Sequence, residues 1–211
     1  MNTPNENPSV VAIVDDDRMV REGLADLLRS VGLQTKQFTS VSEILEGEAI
    51  DGVCCLVLDV RLPGLSGLDF QSELNRLNIQ IPIVFMTGHG DIPMTVRAMK
   101  GGAVDFLSKP FREQDMLDAV KTAIEHDRKL RQSALSVSKF EAAYGSLTTR
   151  EREIMGFVVD GLMNKQIANE ICISEVTVKF HRANMMRKLG VRSVADLVRV
   201  AETLRLTSTP K

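Results

Sequence analysis

Four segments in the first half of this chain each run into a residue that can do chemistry. Val10–Val14 stops at Asp15, Asp16 and Asp17. Leu56-Val57-Leu58 stops at Asp59, Pro82–Met86 stops at Thr87, and Val104–Leu107 leads through Ser108 to Lys109. Carboxylates drawn to one small site repel one another and call for a cation. Oxygen ligands without His or Cys among them suit Mg²⁺ (or Mn²⁺) rather than zinc. Asp is also a favoured helix N-cap. For Asp17 the cap and the site are equally open readings. For Asp15, Asp16 and Asp59 together, two apolar runs that both end in acid argue against capping alone.

The elements that must position these residues are legible as apolar runs and periods. A short unbroken apolar run with a breaker behind it, such as Leu56–Asp59 ahead of Pro63-Gly64, reads as a strand buried on both faces of a parallel sheet. Val20, Leu24, Leu27, Leu28 and Val31 recur at helical spacing after Asp17, and Gly32 ends that helix. A short strand over Leu33–Phe38 follows, then a helix from Ser42 with Ser40 or Ser42 as its cap. Further helices are predicted over Leu68–Leu77, Ile92–Lys100 and Gln114 to about Leu130. Strands alternating with helices in this way predict a doubly wound, five-stranded parallel sheet, which binds ligands at the carboxyl ends of its strands. Thr87 and Lys109 reach that same edge, where an ammonium beside carboxylates has a use. Lys109-Pro110 is also a candidate cis peptide.

The last 65 or so residues are patterned differently. Thr148 or Thr149 caps a helix with Ile154, Phe157, Val158 and Leu162 on its apolar face, and Gly161 ends it. A short helix over Asn164–Ile171, a brief turn and a longer helix over Glu175–Leu189 capped by Ser174 read as a helix-turn-helix. An ordinary four-helix bundle is the competing reading. In the longer helix, Val178, Met185 and Leu189 face the core, which leaves Val176, Lys179, Phe180, Ala183 and Arg187 on the opposite side. Ser193 caps a fourth helix. The expected division is therefore 1–127, a linker helix over 128–145, and 146–211. Leu130, Leu135, Val137 and Phe140 of the linker could dock a domain or a second subunit, with packing on the chain's own domains the favoured reading.

Composition sets limits. Aromatic residues make up 4% and there is no Trp, yet 44% of residues are hydrophobic, enough for real cores. The three cysteines, Cys54, Cys55 and Cys172, form neither a disulfide framework nor a zinc spacing. No apolar run approaches the ~20 residues that span a bilayer, and the polar amino terminus is unlike a signal peptide. These features predict a cytoplasmic protein with no membrane partner. Residues 1–145 hold 15 Lys and Arg against 21 Asp and Glu, a net −6. Residues 146–211 hold 11 against 7, a net +4, which suits a polyanion-binding second domain.

Asp15-Asp16, Asp59, Thr87 and Lys109-Pro110-Phe111, in this order and spacing, resemble the receiver domain of two-component response regulators. The resemblance implies that Asp59 accepts a phosphoryl group from a sensor histidine kinase. It implies that Asp16, Asp59 and the backbone carbonyl of Arg61 hold Mg²⁺, with Asp15 acting through metal-bound water. Thr87 and Lys109 then contact the phosphoryl oxygens, and Phe106 stands at the switch-aromatic position. The chemistry is coherent, since a carboxylate nucleophile gives an aspartyl phosphate. A metal ion, an ammonium and a hydroxyl offset the charge on the transferring oxygens. Self-catalysed phosphorylation and dephosphorylation of Asp59 are the only reactions implied.

In the second half, Leu147-Thr148-x-Arg150-Glu151, Gly161-x-x-Asn164-Lys165-x-Ile167-Ala168, Ile173-Ser174-x-x-Thr177-Val178-Lys179-x-His181 and Lys188-Leu189-x-Val191 resemble the LuxR-type DNA-binding domain. The whole chain thus resembles a FixJ/NarL-type response regulator. The expected function is transcription regulation switched by phosphorylation, with promoter DNA, RNA polymerase and a second copy of the chain as partners. Lys179, Phe180 and Ala183 match positions that face bases in relatives, and Arg187 lies on the same stripe. Phe180 and Ala183 can offer only apolar contact, for example to thymine methyls. Lys165, Thr177, His181 and Arg182 are placed for phosphates, although His181 is equally readable as a structural histidine. Two rival readings are a receiver that signals by protein contact without binding DNA, and a metal-dependent phosphatase with Asp59 as nucleophile.

Overall fold

The computed structural model describes residues 9–45, 50–204 and 206; the polar amino-terminal stretch and the last few residues lie outside this range. The chain divides between Arg131 and Gln132 into two compact units. Among the described residues no helix is long and apolar enough to cross a membrane.

In the first unit, strands β1 (Val10–Val14), β2 (Gln34–Phe38), β3 (Val53–Asp59), β4 (Ile83–Thr87) and β5 (Asp105–Ser108) alternate with helices. The helices are α1 (Arg18–Ser30), α2 (Val41–Leu45), α3 (Gly67–Arg76), α4 (Ile92–Lys100) and the start of α5 (Glu113–Gly145). The strands pair in parallel in the order β2-β1-β3-β4-β5. Every residue of β3 is buried, as a continuous apolar run between two helical layers must be. The strand begins earlier than its apolar core suggested and takes in Cys54 and Cys55, both buried free thiols.

Pleating sends alternate side chains to opposite faces of the sheet. Ala12, Val14, Leu56, Leu58 and Phe85 pack with Val41, Ile44, Phe70 and Ala98 on one side. Val11, Ile13, Val57, Val84 and Met86 pack with Leu24, Leu28, Met116 and Val120 on the other. Helices α2, α3 and α4 thus cover one face, and α1 and α5 the other. The chain runs from β1 outward to β2 and then across to β3, so the winding reverses at β1 and β3. That reversal opens a crevice at the carboxyl edge of the sheet.

Helix α5 runs unbroken for 33 residues, through the segment expected to form a linker. At its passage past the sheet, Arg131 Nε donates to Asp127 Oδ2 at 2.6 Å and Arg131 Nη2 to the Val53 carbonyl at 2.8 Å. Of the four apolar linker residues, Phe140 alone joins a described core; Leu135 is 63% exposed. Leu130 and Val137 are half-buried and share a helical face with Phe140 at i, i+7 and i+10; Leu135 falls off that face, so the expectation that it packs with them is corrected.

The second unit adds α6 (Thr149–Val159), α7 (Asn164–Glu170), α8 (Glu175–Leu189) and α9 (Val194–Thr203). Ile154, Val158, Ile167, Val178, Met185, Leu189, Leu197 and Val200 form its core, with Phe140, Ala143 and Tyr144 packed against it. Thr148 closes a capping box with Glu151, and Ser174 and Ser193 cap α8 and α9. Glu151 is buried and receives Lys188 Nζ at 2.7 Å and the Thr148 N–H at 2.8 Å. Burial pushes its carboxyl up, but these donors outweigh burial and hold it below the usual carboxylate range.

Candidate functional site

The carboxyl edge of the sheet gathers the residues singled out above, with one exception. Asp15 follows β1 and is buried; Asp59 ends β3 and is buried; Thr87 ends β4 and is fully buried. Lys109 directly follows β5, and its own bond to Pro110 is cis. Its Nζ lies 2.5 Å from Asp15 Oδ2 and 3.0 Å from Asp59 Oδ1, so one ammonium bridges the two buried carboxylates. The Lys109 backbone N–H donates to the Thr87 carbonyl at 2.7 Å, which locks the end of β5 onto β4. Asp16 is exposed beside this cluster. Among the described residues no three Asp, Glu, His or Cys side chains come together as a metal cluster. Asp15 and Asp59 thus meet at Lys109, and Asp16 stands one residue on at the open edge of the same crevice. Lys109 supplies counter-charge to the two buried carboxylates, the turn after β1 leaves Asp16 exposed, and Asp17 goes to α1 as its N-cap. Asp17 Oδ1 accepts the Met19 N–H at 2.8 Å, so the capping reading of that residue holds.

Each carboxylate is also fixed by backbone. Asp59 Oδ2 accepts the Arg61 N–H at 2.8 Å, and Asp15 Oδ1 accepts the Asp17 N–H at 2.9 Å. Burial is the main influence on Asp59 and raises its pKa. The Lys109 ammonium and the Arg61 N–H work against that rise and Asp15 adds to it, and the net direction is upward. Lys109 itself is raised: burial lowers it, but hydrogen bonds and charge from Asp15 and Asp59 win. The donors around the pocket are hard oxygens with no thiol or imidazole among the residues named, and a small hard cation fits that chemistry.

Three neighbours were not picked out by sequence. Arg21 Nη1 donates to the Asp15 carbonyl at 2.6 Å and steadies the turn that carries the acids. Gly67, the first residue of α3, packs so closely under β3 that an added Cβ would lie 2.4 Å from the Asp59 carbonyl oxygen. A Cβ on Gly90 would meet Phe106 Cε1 at 3.0 Å and Thr87 Cγ2 at 3.1 Å. Phe106 itself is half-buried, stands opposite Phe85 in the β4–β5 register and lies 6.3 Å from that ring. Thr87 Oγ1 accepts the His89 N–H at 3.3 Å and so retains its own proton to donate.

In the second unit, α7, the turn over 171–174 and α8 form the helix-turn-helix. Two arginines set its geometry: Arg150 Nη2 donates to the Ile171 carbonyl at 3.0 Å, and Arg182 Nη1 to Asn164 Oδ1 at 2.7 Å. The division of α8 into faces is as its periodicity requires. Val178, Met185 and Leu189 are buried, whereas Val176, Lys179, Phe180, Ala183 and Arg187 are exposed. Lys165 is exposed, Thr177 and Arg182 are half-buried, and His181 is half-buried with its ring edge-on to Phe180.

Comparison with known proteins matches both units. Residues 11–121 match the family described as response regulator receiver domain, and residues 145–201 match bacterial regulatory proteins of the luxR family. The chain is 54% identical to nodulation protein W of Bradyrhizobium diazoefficiens, covering 98% of this chain and 91% of that protein. It is 41% identical to the transcriptional regulatory protein FixJ of Azorhizobium caulinodans, covering 90% of each. Among solved structures, the response regulator StyR superposes with a TM-score of 0.81 at 49% identity, covering 93% of this chain and 99% of that one.

Proposed function

Because the chain belongs to the response regulators that join a receiver domain to a LuxR-type DNA-binding domain, we propose that Asp59 is the phosphoryl acceptor that switches it. As a member it is a DNA-binding transcription regulator of the two-component type. The observation that carries the assignment is the bridge from Lys109 to Asp15 and Asp59 at the crevice where the sheet reverses. Residues 1–127 act as the receiver, 146–211 as the DNA-binding domain, and 128–145 as the helix joining them.

Asp16, Asp59 and the Arg61 carbonyl are the residues that would hold Mg²⁺, with Asp15 acting through a water ligand. When bound, the ion neutralises charge on the transferring phosphoryl oxygens. The chain's own residues do the rest. Asp59 Oδ attacks phosphorus in line as the P–N bond to the kinase's phosphohistidine breaks and the imidazole leaves; the carboxylate is already fixed by Lys109 and the Arg61 N–H, so little further orientation is needed. Lys109 exchanges part of its carboxylate contact for a phosphoryl oxygen, and the Thr87 hydroxyl donates to another. A histidine kinase is the donor that the family implies.

Phosphorylation adds charge and acceptor oxygens beside Thr87. Drawing Thr87 toward them vacates space behind it, into which the half-buried Phe106 ring turns. That motion repacks the face of α4 and β5, where Ile92, Val96 and Met99 are exposed large apolar residues, and pairs two copies through it. Paired DNA-binding units favour a two-fold operator, with half-sites about one helical turn apart. Lys179, Phe180 and Ala183 meet bases with Arg187 beside them, while Lys165, Thr177, His181 and Arg182 meet phosphates; RNA polymerase is the downstream partner. Labelling by acetyl phosphate with Mg²⁺ tests the acceptor. Asp59→Asn should abolish uptake, and undiminished labelling of that variant would overturn the assignment.

A further inference from the structure

The outward face of α8 is apolar at the positions a groove-bound helix presents first. Val176 is 75% exposed and Phe180 64%, and Ala183 is exposed with them. Spacings of four and three residues set the three in one row. Large apolar side chains grouped on a charged surface mark a binding face.

Several polar side chains around that row also make contacts within the protein. Lys179 Nζ pairs with Glu175 at 3.2 Å, one turn back. Arg182 is held by Asn164 at 2.7 Å and Arg187 by Asn184 at 2.9 Å. The Thr177 hydroxyl shares a hydrogen bond with Ser174 at 2.7 Å. Phe180 is braced edge-on against His181, with ring centroids 5.8 Å apart. Beside these polar groups, Val176, Phe180 and Ala183 present a row of methyl and ring carbons on the exposed face of α8.

We propose that Val176 and Phe180 are specificity-determining residues that recognise pyrimidine C5-methyl groups in the major groove, those of thymine and equally of 5-methylcytosine. The occupant is duplex DNA rather than a protein, because this unit carries a net charge of +4 over 146–211 and the row lies on the second helix of a helix-turn-helix. The inference rests on the DNA-binding reading and sharpens it. Carbon side chains cannot discriminate by hydrogen bonding, and the thymine methyl is the apolar group a base edge offers there.

The test uses the full chain with beryllofluoride and Mg²⁺, and duplexes selected by that chain from a random library. Deoxyuridine replaces thymidine one position at a time, which removes the methyl and leaves every hydrogen-bonding group in place. Burial of one methyl predicts a loss of about three- to fivefold in affinity at one or two positions per half-site. In Val176→Ala or Phe180→Ala the thymidine-to-deoxyuridine ratio at one of those positions should fall to about one. Lys165→Ala, by contrast, should weaken all duplexes and keep the ratio. Both substituted residues are exposed, and retained binding to random-sequence DNA at low salt checks that the domain is folded. A parent that selects no sequence defeats the DNA-binding reading itself. A parent that selects sequences but shows a flat deoxyuridine scan overturns the inference alone. So does a ratio that survives both alanine variants, or a Phe180→Ala variant that binds its selected duplex unchanged.

Discussion

Replacing Gly67 by Ala should destabilise the fold and displace the acceptor site. The new Cβ would stand 2.4 Å from the Asp59 carbonyl oxygen, and 3.2 Å from both Leu58 Cγ and a ring carbon of Phe85. A close carbon–oxygen contact is about 3.3 Å, so roughly 0.9 Å of movement is required. The obstacle is the backbone of a wholly buried strand, which has nowhere to go. The start of α3 must move instead, and with it the hydrogen bond from Gly67 N to the Val60 carbonyl, now 3.0 Å. Overpacking of this kind costs about 1–3 kcal/mol and a weakened hydrogen bond about 1 kcal/mol more. A total of about 2–4 kcal/mol lowers the melting temperature of a domain this size by roughly 6–15 °C. Gly23→Ala is the internal control, since nothing lies within 4 Å of a Cβ there and the residue is within α1; it should be neutral or mildly stabilising. Calorimetry of the full chain reads the stability, and acetyl phosphate labelling at low temperature reads the displacement of Asp59. An unfolding profile that overlays the parent's, with labelling at the parental rate, would refute the reasoning.

Two further expectations concern the same site. In Gly90→Ala the Cβ crowds Phe106 at 3.0 Å and Thr87 at 3.1 Å in their present positions. The Phe106 ring can yield, so the cost is at the low end, about 1 kcal/mol. If the switch moves both groups, that cost favours the phosphorylated arrangement and lowers the beryllofluoride concentration for dimerisation about fivefold. Sedimentation titrations measure it, and an unchanged or higher midpoint would count against the proposed motion. Burial raises the Asp59 pKa, so stability associated with its protonated form is lost as pH rises through that raised value. Asp59→Asn should therefore exceed the parent in stability at neutral pH, with the difference closing as pH falls toward about 3.9, the ordinary aspartate value. Denaturant midpoints across that window check the sign, and a gap that widens on acidification would contradict it.

The parts of this site that were legible in the sequence are those that depend on neighbours along the chain. Apolar runs ending at Asp15, Asp59 and Thr87 specify buried strands whose last residues lie at one sheet edge, and the structure puts them there. Caps at Thr148, Ser174 and Ser193 follow from local chemistry in the same way. What escaped depends on approach between distant segments. Asp16 has the same residue type as Asp15 and a place one residue on, yet one is exposed and the other buried, because the turn after β1 serves Lys109 with the first and the surface with the second. The close approach of Gly67 to Asp59 is set by how α3 docks beneath β3, and no period in Leu68–Leu77 encodes that distance.

The second unit carries the same division one step further. Core positions 178, 185 and 189 of α8 could be read from spacing, and the exposed row followed by elimination. Spacing could not say that Lys179, Arg182 and Arg187 are each engaged by Glu175, Asn164 and Asn184. Those engagements reverse the usual expectation for a basic recognition helix. Of these, only the Arg182–Asn164 bond ties α8 to α7, while the Lys179 and Arg187 contacts run along α8 itself, beside the apolar row of Val176, Phe180 and Ala183. If the proposed row reads methyl groups, the charge of this unit supplies affinity for any duplex that weakens with salt, and the thymidine-to-deoxyuridine ratio should stay nearly constant as salt is raised.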